Sequence, residues 1–113
     1  MSLKVILGEN SAELNLSDGK KYFLSPLTLG DIASAEEKFG CDLESFDSAI
    51  KKLRNILYLV FLSVRKKHAD VSEKQLGDMF AVSDMGELTK IVGLIFNISG
   101  LEPEKAERAE KNG

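Results

Sequence analysis

Short runs in which apolar and polar residues alternate occupy the first quarter of the chain; apolar residues three and four apart dominate the rest. Leu3-Lys4-Val5-Ile6-Leu7 alternates around a β-branched centre, Ala12 to Leu16 alternates with Leu14 and Leu16 on one face, and Lys21 to Leu24 is a third such run. Turn clusters separate them, Gly8-Glu9-Asn10-Ser11 and Ser17-Asp18-Gly19-Lys20, the second holding Asp-Gly, a strong hairpin signal. Pro26 stops the last run, because proline lacks the N–H that a strand ladder needs. Residues 3–25 are therefore expected to form two or three short antiparallel strands. A lone hairpin is marginal in water, so they must lie on the helices that follow.

Capping chemistry marks where those helices start. Thr28 is an N-cap with Asp31 three positions on, Leu27 and Ile32 fit a hydrophobic staple, and Gly40 closes the helix after Phe39. Residues 41–46 read as a connector and Asp47 to Lys67 as one long helix. Ser72 and Gln75 form a capping box, with Val71 and Leu76 as its staple, for a short helix to about Phe80. Asp84 and Glu87 repeat the box and open a last helix to about Ser99, with Gly100 behind it. The expected fold is α+β: an N-terminal antiparallel hairpin or small sheet, then a predominantly helical bundle of about four helices. One domain spans 1–100. The tail, 101–113, is charged, contains Pro103 and is expected to be flexible.

The long helix is the most informative element. Phe46, Ile50, Leu53, Leu57, Val60, Phe61 and Val64 form a wide apolar stripe that reads as core. The opposite face is polar at Lys51 and Asn55 and again at Arg65 and Lys66, but Tyr58, Leu59 and Leu62 lie between. Another element of the domain or a partner must cover them. Tyr58, Leu59 and Leu62 are therefore the candidate partner-binding residues. The last helix is equally broad, with Met85, Leu88, Ile91, Val92, Leu94, Ile95, Phe96 and Ile98, and two such helices favour a packed bundle or a homo-oligomer.

Composition narrows the function. The chain has 113 residues, 43% hydrophobic and 29% charged, with net charge −3, which suits one globular domain and argues against binding nucleic acid through phosphates. One cysteine and one histidine exclude an intrachain disulfide and a zinc site of the usual nitrogen and sulfur ligands. The longest apolar run, Ile56 to Leu62, is far short of a bilayer span, and Met1 to Leu7 is too short for a signal core, so a cytoplasmic protein is expected. No catalytic set emerges. His68 follows Arg65-Lys66-Lys67 at a helix end and reads as an exposed capping charge. Cys41 has Asp42 rather than a cation beside it. The basic run lacks interleaved aromatics, and the glycines are scattered singly, without a phosphate-cradling loop. Neither a cofactor nor a metal is expected.

The order of features nevertheless resembles a known family. A short hairpin leads into Tyr22-Phe23-Leu24-Ser25-Pro26-Leu27-Thr28-Leu29-Gly30-Asp31-Ile32 and an acidic helix ending in Phe39-Gly40. A long apolar helix then closes with a basic segment and Val71-Ser72-Glu73-Lys74-Gln75-Leu76-Gly77-Asp78-Met79. Over residues 20–99 this resembles the small tail assembly chaperones of long-tailed bacteriophages and prophages. The resemblance implies a non-enzymatic protein of the host cytoplasm, absent from the mature virion. It implies binding to the tape measure protein, which it keeps soluble, and help in recruiting the tail-tube protein. Such families commonly make a longer product by a backward ribosomal slip, and Glu110-Lys111-Asn112 can be encoded with the slippery heptamer A AAA AAC. The alternatives are a homo-oligomeric phage structural adaptor, such as a head–tail connector or tail-completion protein, and a small antitoxin-like regulator. The regulator reading lacks a basic recognition helix.

Overall fold

The computed structural model describes residues 4–7, 12–16 and 19–101. The charged tail from Glu102 onward, including Glu110-Lys111-Asn112 with the expected slip sequence, lies outside the described residues. Three strands, β1 (Lys4–Leu7), β2 (Ala12–Asn15) and β3 (Lys21–Leu24), form an antiparallel meander in the order β1-β2-β3. Leu14 faces Tyr22 and Ala12 faces Leu24 across the β2–β3 pair. Alternation puts Ala12, Leu14, Leu16, Tyr22 and Leu24 on the buried face and Glu13, Asn15, Lys21 and Phe23 on the other. Gly19, at φ 82°, makes the turn between β2 and β3, where its N–H reaches the Leu16 carbonyl at 3.0 Å.

Five α-helices follow among the described residues: α1 (Leu29–Phe39), α2 (Phe46–Ala49), α3 (Leu53–Val64), α4 (Glu73–Asp78) and α5 (Met85–Ile98). Short 3₁₀ turns at Leu43–Ser45 and Val82–Asp84 lead into α2 and α5. The capping signals act where the sequence places them for α1 and α4. Thr28 and Asp31 exchange side chain and backbone bonds, as do Ser72 and Gln75. The staple residues Leu27, Ile32, Val71 and Leu76 are all core. At the end of α5 the Gly100 N–H reaches the Asn97 carbonyl and the Leu101 N–H the Phe96 carbonyl, a Schellman pair made possible by Gly100 at φ 80°.

Two expectations need correction. The long helix is two helices, because the chain is extended at Lys52 (φ −92°, ψ 127°). Asn55 reinforces the break: it is buried, and its Nδ2 donates at 2.8 Å to the Ala49 carbonyl at the end of α2, which also accepts from the Lys52 N–H at 3.2 Å. Asn55→Ala is expected to cost about 0.5–1.5 kcal/mol by urea denaturation, the worth of one hydrogen bond, since the Ala49 carbonyl keeps the Lys52 N–H. The second correction is at Asp84, which makes no side-chain cap on α5. Its Oδ2 instead accepts from the Ala81 N–H at 2.8 Å and shapes the preceding 3₁₀ turn.

The core is a single cluster in which α3 is the central helix. It touches β3, α1, α4 and α5, so apolar residues are needed nearly all the way round it. Phe46 is fully buried and meets Phe39 of α1 edge-on at 5.0 Å, anchoring the α1–α2 corner to the same core.

Candidate functional site

The three residues expected to bind a partner are not an exposed patch. Leu59 and Leu62 are both 0% exposed, enclosed by the elements packed around α3. Tyr58 is half-buried, with Phe39 edge-on at 6.1 Å and the Lys38 ammonium 5.3 Å from its ring centroid. The side of α3 that the sequence leaves uncovered is thus covered from within the chain, by the end of α1 and by the neighbouring helices. The expected core stripe also turns out rotated. Of its members Phe46, Val60 and Val64 are buried, but Leu53 is exposed and Leu57 and Phe61 are half-buried, whereas Ile56, Leu59, Leu62 and Ser63, outside the stripe, are buried. The outermost line of α3 is Arg54, Tyr58, Phe61 and Arg65, with the Arg65 guanidinium 5.7 Å from the Phe61 centroid.

Apolar surface remains elsewhere. The large exposed hydrophobic side chains among the described residues are Leu29, Val82, Met85, Leu53 and Phe23, the first two at 89% and 85%. Leu29, Leu53 and Met85 are the first residues of α1, α3 and α5, and Val82 opens the 3₁₀ turn before α5. Met85 continues the apolar stripe of α5 one turn past Leu88, beyond the length its neighbours cover. Leu29 lies on the flank of the α1 stripe rather than its centre, which runs through Ile32 and Ala35. The sequence reading placed Leu53 in the core stripe and Met85 on the broad apolar face of the last helix, and it singled out neither Leu29 nor Val82.

The Ser25–Asp31 phrase is a structural clasp. Ser63 Oγ accepts from the Ser25 N–H at 2.8 Å and donates to the Ser25 carbonyl at 2.7 Å. Ser99 Oγ accepts from the Leu27 N–H at 2.8 Å and donates to the Ile95 carbonyl at 2.6 Å. Asp31, 3% exposed, accepts from the Thr28 N–H at 2.8 Å and from Arg65 Nη2 at 3.2 Å, and forms an ion pair with Lys66. Burial pushes the Asp31 carboxyl up, but the Lys66 and Thr28 hydrogen bonds, the Lys66 charge and the Arg65 hydrogen bond outweigh it and hold it below its ordinary 3.8. Arg65 and Lys66, read from sequence as a solvated helix end, are therefore engaged in tying α3 to the start of α1.

His68 also departs from its expected role as an exposed capping charge. It is half-buried, its ring is stacked on Phe23 at 6.0 Å and tilted against Tyr22 at 4.9 Å, and its Nε2 accepts from the Phe23 N–H at 3.1 Å. Cys41 packs at the edge of the core. Among the described residues, no three of His, Cys, Asp and Glu gather as metal ligands, and no helix is long and apolar enough to cross a membrane. No protein-family model, no curated protein and no solved structure matches the chain.

Proposed function

We propose that this chain is a tail assembly chaperone of a long-tailed phage or prophage, a non-enzymatic binding protein that keeps the tape measure protein soluble while the tail tube assembles around it. The sequence resemblance across residues 20–99 motivates the reading. The observation that carries it is the set of apolar side chains left outside a fully formed core, Leu29, Leu53, Val82 and Met85, on an acidic domain. Such side chains are suited to the apolar stripe of a long partner helix, while the surrounding charges keep the complex hydrated. Many copies along one rod would add weak contacts by avidity. Action in the host cytoplasm, recruitment of the tail-tube protein and self-association belong to the same proposal.

The test is co-expression with the tape measure protein of a long-tailed phage. The expected result is that the partner moves from the pellet to the soluble fraction and co-elutes with this chain. If instead the partner stays in the pellet and this chain elutes alone as a closed ring that is retained in finished particles, the structural-adaptor reading replaces the chaperone one.

A further inference from the structure

The outer edge of β3 is closed by side chains rather than by a fourth strand. In an antiparallel edge strand every second N–H points away from the sheet and must find a partner or water. Here the Phe23 N–H of β3 meets His68 Nε2, and just beyond the strand the Ser25 N–H meets Ser63 Oγ, with the Ser63 carbonyl at 3.2 Å, and the Leu27 N–H meets Ser99 Oγ. The hydroxyls and the carbonyl accept at any ordinary pH. The imidazole nitrogen accepts only while it carries no proton. Since Nε2 accepts, the single proton of the neutral ring sits on Nδ1.

We propose that His68 is a proton-operated latch on the β3 edge. Protonation places an N–H on Nε2, directly opposite the Phe23 N–H, so the acceptor becomes a donor and the bond is lost. The edge then opens at Phe23, and the connector between α3 and α4 loses its hold on the sheet, while the Ser63 and Ser99 clasps stay shut. The segments that meet the ring, and β2 beside them, carry these charged and titratable groups. β3 brings Lys21 and the Tyr22 phenol, and β2 brings Glu13 opposite Phe23. The segment carrying His68 brings Lys67, whose ammonium lies 5.6 Å from the Phe23 centroid, and Asp70 two residues on. Arg65 and Lys66 are engaged by Asp31. Opening frees one strand-edge donor and the exposed Phe23 ring, the chemistry that an added strand from another chain would use.

Nuclear magnetic resonance tests this on the full chain. Long-range ¹H–¹⁵N spectra at about pH 8 are expected to show the Nδ1–H tautomer, since most histidines are neutral there. Amide protection, corrected for intrinsic exchange, is expected to fall about tenfold at Phe23 between about pH 8 and about pH 5 while Ser25 holds, as one lost hydrogen bond requires. His68→Gln, whose Oε1 accepts without titrating, is expected to keep Phe23 protected throughout. The Nε2–H tautomer, an unchanged Phe23, equal losses at Phe23 and Ser25, or a pH dependence that persists in the glutamine variant would each overturn the latch.

Discussion

Leu62→Asp is expected to leave no folded domain. Leu62 is 0% exposed on the central helix and belongs to the hydrophobic core cluster. Truncation alone, Leu62→Ala, should cost about 2–5 kcal/mol through lost burial and the cavity left behind. An unpaired buried charge costs more, and domains of this size are stable by only about 5–15 kcal/mol. Leu29→Lys, at a side chain 89% exposed, serves as the control and should stay within about 0.5 kcal/mol of wild type. Circular dichroism melts distinguish the two. A cooperative wild-type-like melt for Leu62→Asp would mean that the far side of α3 is open surface after all.

Asp31→Ala carries the second large effect. It removes the acceptor for the Thr28 N–H and leaves Arg65 and Lys66 without their shared anion. The cost near neutral pH should be about 2–3 kcal/mol, moderated because both cations are partly solvated. The pH dependence has a definite sign. Asp31 titrates lower in the folded chain than its ordinary 3.8, so its contribution is complete above that value. It is then lost as pH falls through the lower folded-state value. Urea titrations should therefore show a constant gap between wild type and Asp31→Ala above about pH 5, narrowing below about pH 4. A gap that stays constant into strong acid would show that the carboxylate charge does not hold α1 to α3.

Local signals were legible where their chemistry is local. Thr28 with Asp31, Ser72 with Gln75, and Gly100 behind α5 each act within a few residues, and each stands where the pattern put it. The sheet followed from alternation and the Asp-Gly turn. The phase of α3 was not legible, because its cause is the extended residue Lys52. Phe46 and Ile50 belong to a different turn of chain, and counting them with Leu53, Leu57 and Phe61 turned the inferred core face away from Leu59 and Leu62, although Val60 and Val64 stayed on it. Asn55 reads as a polar outer position, yet it is buried, its Nδ2 bonded to the Ala49 carbonyl, and Ser63 is likewise buried, its hydroxyl bonded to the Ser25 carbonyl that only the folded chain brings near. His68 was misread for the same reason, since its acceptor role depends on Phe23, 45 residues earlier. The candidate contact residues were hidden in the capping phrases themselves. A leucine or methionine at a helix start satisfies the spacing of a core stripe but projects past the elements that would cover it.

The most direct test of the proposed function compares the tape measure protein's soluble fraction with wild type and with the triple variant Leu29→Lys, Val82→Lys, Met85→Lys. All three side chains lie outside the core, so the variant should melt within a few degrees of wild type. The folded variant is expected no longer to keep the partner in solution. A variant that melts normally and solubilises the partner as well as wild type would contradict it.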